Sequence, residues 1–118
     1  MSDLHRACLS LGSNIEAERN LPKAIELLRE VGKVVAVSSV WESKSVGFDG
    51  PNFLNACVLF LTPLQPVELK EKIIRPIEAK LGRIRGEEKN APRPIDIDIL
   101  LFDNHPLNTE FWDYAFVI

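Results

Sequence analysis

The stretch Ile95-Asp96-Ile97-Asp98-Ile99-Leu100-Leu101-Phe102 alternates isoleucine with aspartate before turning wholly apolar, and its reading decides the fold. Residues two apart share a face on a strand but not on a helix, so 95–102 is predicted as a strand with one strongly apolar face. Asp103-Asn104 then suggests a turn. Upstream, Leu69, Ile73, Ile77 and Leu81 recur at helical spacing over Pro66 to Leu81, with Pro66 suited to a first turn and Gly82 to the exit. Pro76 falls inside that helix, where a proline costs about 3 kcal/mol, so a kink or break is expected near Arg75.

Further back lie two β-type runs, Phe53 to Leu61 and Val34 to Trp41, separated by a long loop that contains Gly47, Gly50 and Pro51. Asn20 to Val31 carries Leu21, Ala24, Ile25, Leu28 and Val31 at helical spacing, with Gly32 as its stop. Arg6 to Leu11 is a short strand running into the turn Gly12-Ser13-Asn14. The order strand, helix, strand, strand, helix, strand is that of a ferredoxin-like α+β sandwich with a four-stranded, mainly antiparallel sheet. Two helices cover only one face of such a sheet, which leaves the other for a ligand.

The 118 residues suit one domain spanning 1–118. Hydrophobic residues at 46% and charged residues at 26% are the balance of a soluble globular chain. Fourteen Lys and Arg against seventeen Asp and Glu give a net charge of −3, so there is no basic footprint for nucleic acid and any phosphate binding must be local. No apolar run approaches the roughly 20 residues of a membrane span, and the N-terminus lacks a secretory pattern, so a cytoplasmic protein without a membrane partner is expected. Cys8 and Cys57 sit in apolar strand-like segments outside any metal-ligand spacing and are expected to be buried, reduced core thiols.

Chemistry is expected first at Asp96 and Asp98, whose carboxylates project from one face about 6.6 Å apart along the strand. Side by side they repel, and a divalent cation resolves the conflict. Two carboxylates without His or Cys nearby favour magnesium over zinc. Taken alone, the pattern fits a solvated outer face of an edge strand equally well.

The segment 83–93 leads directly into that strand and carries Arg83, Arg85, Lys89 and Arg93. Guanidinium groups bind phosphate in bidentate fashion and follow its charge in a transition state, so metal plus arginine points to phosphoryl-type transfer from a nucleotide. The bland alternative is a charged surface loop paired internally to Glu87 and Glu88. Phe53 and Asn55, two apart on a strand, offer an apolar plate beside an amide and suit a planar heterocycle, although a strand Phe is more often core.

Gly12-Ser13-Asn14, Phe53-Leu54-Asn55-Ala56, Glu78 to Arg83 and Pro92 to Phe102, in that order, resemble the pterin pyrophosphokinase family of folate biosynthesis from the first strand to about Thr109. The resemblance implies transfer of diphosphate from ATP to 6-hydroxymethyl-7,8-dihydropterin with release of AMP, using two Mg2+ ions and ATP as co-substrate. Carried over by motif, Asp96 and Asp98 would hold the metals, and Arg83 and Arg93 would clamp phosphates and join Asp96 and Asp98 as catalytic residues. Glu78, Arg85 and Ile99 would complete the nucleotide site. Phe53 and Asn55 would bind the pterin, Gly12, Ser13 and Asn14 would shape one loop, and Val46 would belong to a second loop, Ser43 to Pro51, that closes largely through backbone groups. Phe116 would stand for a second stacking aromatic.

The chain departs from the family at Asn90, where most members carry Trp, and at Ser43-Lys44-Ser45-Val46, where they are Pro-rich. It also lacks the Pro-His and Arg-containing stretches that contact ATP. An alternative is therefore a catalytically weak pterin- or nucleotide-binding relative. An RNA-binding module on the same sheet would need an aromatic strand motif that is missing here. The apolar Phe116-Val117-Ile118 suits burial within the domain or against a second copy, so both monomer and dimer are compatible with the sequence.

Overall fold

The computed structural model describes residues 4–44, 52–82 and 94–106. Strand β1 (His5–Ser13) buries Ala7, Leu9 and Leu11 on one face and keeps Arg6, Cys8 and Ser10 more open on the other, as its alternation demands. Helix α1 (Ala17–Val31) follows and presses Leu21, Ala24, Leu27 and Leu28 onto the buried face. Its exit residue, Gly32, is extended rather than left-handed, so it is not a left-handed helix stop. Glycine is needed there because a Cβ would lie 2.2 Å from Cζ of Phe60.

The second β segment is split into β2 (Lys33–Val37) and β3 (Trp41–Ser43). Between them Ser38 docks on the neighbouring strand. Its N–H donates to the Cys57 carbonyl at 2.8 Å, and its Oγ accepts from the Cys57 N–H at 2.8 Å. That neighbour, β4 (Phe53–Thr62), pairs with β2, β3 and β1. Among the described residues a six-stranded sheet results, ordered β2-β4-β1-β5-β6, with β5 (Asp96–Phe102) on the far side of β1, a short β6 (His105–Pro106) outside it, and β3 beside β4. Every ladder is antiparallel, and the four long strands follow the ferredoxin-like order. The expected four-stranded sheet is thus extended by the split second strand and by β6.

The second helical region breaks where Pro76 predicts. It runs as α2 (Pro66–Leu69), a π-helical turn over Lys70–Ile74, and α3 (Arg75–Lys80). Pro76 lacks an N–H to donate, and the wider π turn ahead of it absorbs the lost bond, so the apolar stripe Leu69, Ile73, Ile74 and Ile77 stays buried. Gly82 at φ 98 then ends the element in the left-handed region.

The core lies between these helices and one face of the sheet, where Phe60, Leu9, Leu11, Leu28, Leu69 and Ile74 are almost fully buried. Each such side chain contributes about 1.5–3 kcal/mol. Strand β5 carries a bulge, with Leu9 opposite Ile99 and Cys8 opposite Leu101. Leu100 is therefore the extra residue, which explains why the alternation gives way to a wholly apolar run.

Asp103 and Asn104, at φ 49 and 72, make the two-residue turn into β6. The Arg6 N–H at 2.9 Å and the His5 ring at 2.6 Å hold the Asp103 carboxyl below its usual range, the former being the stronger influence. One expectation is corrected. Cys8 and Cys57 are free and only half-buried, and they lie on the open face because both fall out of phase with the buried alternation. No helix among the described residues is long and apolar enough to cross a membrane.

Candidate active site

The register of four strands sets the open face in rows. Trp41 pairs with Asn55, Asn55 with Gly12, and Gly12 with Asp96, so these four positions cross the sheet in line from β3 to β5. The next row holds Cys57, Ser10 and Asp98. Phe53 lies two residues before Asn55 on the same face, opposite Ser43. Asp96 and Asp98 consequently share the open face, both half-exposed, while Ile95 and Ile97 between and beside them are buried on the other side.

Gly12 has no side chain between Asn55 and Asp96, which makes it the floor of this row. A Cβ there would lie 3.2 Å from Oδ1 of Asn55 and 3.5 Å from Cδ1 of Phe53, so the strand glycine is what brings plate and amide so near the backbone. The Asn55 amide is oriented by β3. Its Nδ2 donates to Ser43 Oγ at 2.9 Å and to the Trp41 carbonyl at 3.3 Å. A carbonyl only accepts, so the amide nitrogen belongs on that side and Oδ1 faces Gly12.

Ser13 and Asn14 are buried, and the Ser13 hydroxyl donates to the Ile15 carbonyl at 3.2 Å. They shape the turn after β1 from beneath. Asn20 Nδ2 donates to the same carbonyl at 2.7 Å and ties that turn to α1.

Glu78 is 2% exposed, and its Oε2 accepts from the Ile97 N–H at 3.0 Å. Since Ile97 stands between the two aspartates, a carboxylate from α3 holds the backbone that carries them. Ile99, opposite Leu9, packs on the helix-side core and does not join the open-face group. Val46, Arg83, Arg85, Arg93 and Phe116 lie outside the described residues.

Sequence reasoning missed Trp41 and Ser43. Trp41 is 43% exposed, large and apolar, beside Asn55. The signal was the spacing itself, since 41 and 43 repeat the two-residue step of 53 and 55 across an antiparallel pair. A cavity of about 510 Å³ opens near the Asn14 end of the sheet, walled by Glu16, Glu18, Arg19, Glu42, Asn52 and Leu54. Its lining omits Asp96 and Asp98, and its three glutamates outnumber Arg19 and leave it net negative, unfavourable for a polyphosphate, so the row through Gly12 is the better candidate.

Donor chemistry at the aspartates suits a hard cation. Among the described residues no group of three or more His, Cys, Asp and Glu side chains could hold a metal. Two carboxylates alone leave positions for water and phosphate, which is the arrangement that magnesium prefers.

The family model of 7,8-dihydro-6-hydroxymethylpterin-pyrophosphokinase matches residues 8–118. The chain is 43% identical over 108 residues to a 2-amino-4-hydroxy-6-hydroxymethyldihydropteridine pyrophosphokinase of Bacillus subtilis, covering 88% of this chain and 64% of that protein. A protein of the same name from Aquifex aeolicus is 41% identical over 104 residues, covering 86% of this chain and 64% of its own. A folate synthesis bifunctional protein of Arabidopsis thaliana is 31% identical over 121 residues, covering 93% of this chain and 25% of its own. The chain thus spans a little under two thirds of the two bacterial relatives. With the match running from within β1 to the last residue, the chain belongs to the 7,8-dihydro-6-hydroxymethylpterin-pyrophosphokinase family.

Proposed function

We propose that the chain, as one domain over 1–118, transfers diphosphate from ATP to the hydroxymethyl oxygen of 6-hydroxymethyl-7,8-dihydropterin and releases AMP, as a cytoplasmic step of folate biosynthesis. The observation that carries this reading is the row Asn55, Gly12, Asp96. A flat ring bound at Asn55 would lie two strand spacings, about 9.6 Å, from the carboxylate pair. A hydroxymethyl arm and a polyphosphate would fill that interval. The two bacterial relatives, both named as pyrophosphokinases of a hydroxymethyldihydropteridine, support the same chemistry.

Each residue then has a task that its position allows. Phe53 supplies an apolar plate, Gly12 lets a ring approach the backbone, and Asn55 Oδ1 accepts from an N–H on the ring edge. Asp96 and Asp98 would hold Mg2+, two ions on the family reading, which supplies neutralisation of the polyphosphate charge. Glu78 positions both aspartates through the Ile97 amide. Arg83 and Arg93 are proposed as the phosphate clamp, with Arg85 alongside them. Rate enhancement would come from holding two substrates in line and from electrostatics prepared in advance, with no covalent intermediate on the protein.

Calorimetry on the 118-residue chain tests this, using the pterin and a non-hydrolysable ATP analogue with and without magnesium. Binding of both is expected, with the nucleotide arm dependent on magnesium. Pterin binding with no nucleotide binding under either condition would overturn diphosphate transfer and leave a pterin-binding relative.

A further inference from the structure

Cys8 and Cys57 occupy adjacent antiparallel strands on the open face, outside the row assigned to substrate. Cys57 lies opposite Ser10 and Cys8 opposite Leu59, so the two thiols are offset by one step on the same side of the sheet. Both are free and half-buried, which leaves their sulfurs within reach of a small ligand.

We propose that Cys8 and Cys57 together form a dithiol site for a soft metal or metalloid that bonds two sulfurs, of the Cu(I) or trivalent organoarsenical class.

Spacing selects this class over a disulfide. Offset cross-strand neighbours stand about 7–8 Å apart at Cα, beyond the 4.4–6.8 Å range of most disulfides, so a direct S–S bond requires the backbone to move. A bridging atom relaxes that demand, because each sulfur need only reach the shared centre, at about 2.3 Å for a zinc-type thiolate bond. The donor set selects again. Among the described residues no third His, Cys, Asp or Glu completes a metal-holding group, so a four-coordinate zinc centre is not built here and a soft partner of low coordination number is.

The thiols are also prepared for it. The neighbouring Cys57 thiol lowers Cys8 to about 7, against a smaller opposing effect of burial. The Cys8 group, and burial after it, raise Cys57, which therefore holds the proton. Near neutral pH Cys8 is therefore partly ionised, and a thiolate is the form that attacks and ligates. With a hydrated phenylarsine oxide, PhAs(OH)2, two As–O bonds break and two As–S bonds form. From the thiolate–thiol pair, the Cys57 proton and one proton taken from solvent leave with the two hydroxyl groups as two water molecules, arsenic stays trivalent, and no oxidant is required.

The test is intact-mass analysis of the reduced 118-residue protein with phenylarsine oxide, followed by maleimide labelling. One arsenical per chain is expected, with both thiols protected from maleimide and both recovered on adding a dithiol but not a monothiol. Cys8→Ser and Cys57→Ser should each weaken binding roughly 100-fold or more, the gain normally supplied by a second tethered ligand. Two arsenicals per chain, maleimide labelling of either cysteine in the loaded protein, or full affinity in a single variant would overturn the proposal. The stoichiometry and protection of the unmodified protein decide the matter even if a serine variant folds poorly.

Discussion

Replacing Gly12 with alanine separates binding from folding at the centre of the proposed site. The new methyl carbon would lie 3.2 Å from Asn55 Oδ1, tighter than ordinary contact, so the amide must give by a few tenths of an ångström. It gives against two hydrogen bonds, to Ser43 Oγ at 2.9 Å and to the Trp41 carbonyl at 3.3 Å. The fold should tolerate this. Gly12 is not among the residues of positive φ, and replacing a glycine in a compatible conformation returns about 0.4–1 kcal/mol through the unfolded chain.

A stacked heterocycle fares worse, because the methyl would lift it from the sheet and turn Oδ1 aside. Losing one neutral hydrogen bond and part of an aromatic contact costs about 1–3 kcal/mol, or roughly 5- to 150-fold in Kd. Calorimetry with 6-hydroxymethyl-7,8-dihydropterin reads the affinity, and a urea melt reads the fold. Pterin affinity within twofold of wild type, in a variant of unchanged stability, would refute the reasoning about Gly12 as the floor.

Gly32→Ala should destabilise by about 1–3 kcal/mol or more through overpacking, because its Cβ would stand 2.2 Å from the fully buried ring of Phe60; an unchanged urea midpoint would contradict this. Glu78→Ala should cost about 1–3 kcal/mol by removing the acceptor of the buried Ile97 N–H, with Glu78→Gln milder, and equal midpoints for all three proteins would sink the clasp. Asp103→Asn should be less stable than wild type at neutral pH. Arg6 and His5 depress that carboxyl, so its contribution is present above the ordinary value of 3.8 and is lost as pH falls through the lowered folded value. Urea midpoints across that range should converge on acidification, and a gap independent of pH would speak against it.

Parity carries most of what can be read in the residues. The alternation over 95–102 places both aspartates on one side without any structure, and the break near Arg75 follows from Pro76 alone. Parity also held information that burial statistics obscured. Cys8 falls between Ala7 and Leu9, and Cys57 between Ala56 and Val58, so both are out of phase with the buried set and belong on the open face.

Other features depend on partners distant in sequence. Ser38 splits the second strand by bonding both backbone groups of Cys57, and a valine- and serine-rich run gives no local sign of it. Gly32 reads as a helix stop, yet it is required by the ring of Phe60 from β4. Glu78 sits on a helix beside charged neighbours, and its inward turn to an amide 19 residues later is legible only once α3 lies beneath β5. The bulge at Leu100 is likewise a property of the pairing with β1 rather than of the run Ile99 to Phe102.

Formation of AMP from ATP, measured with pterin and magnesium for the unmodified chain, Asp96→Ala and Asp98→Ala, probes the carboxylate pair most directly. Pterin-dependent AMP from the unmodified chain is expected, with each substitution lowering the rate by roughly 100-fold or more while the urea midpoint holds. Full activity in both variants would contradict the assignment of Asp96 and Asp98.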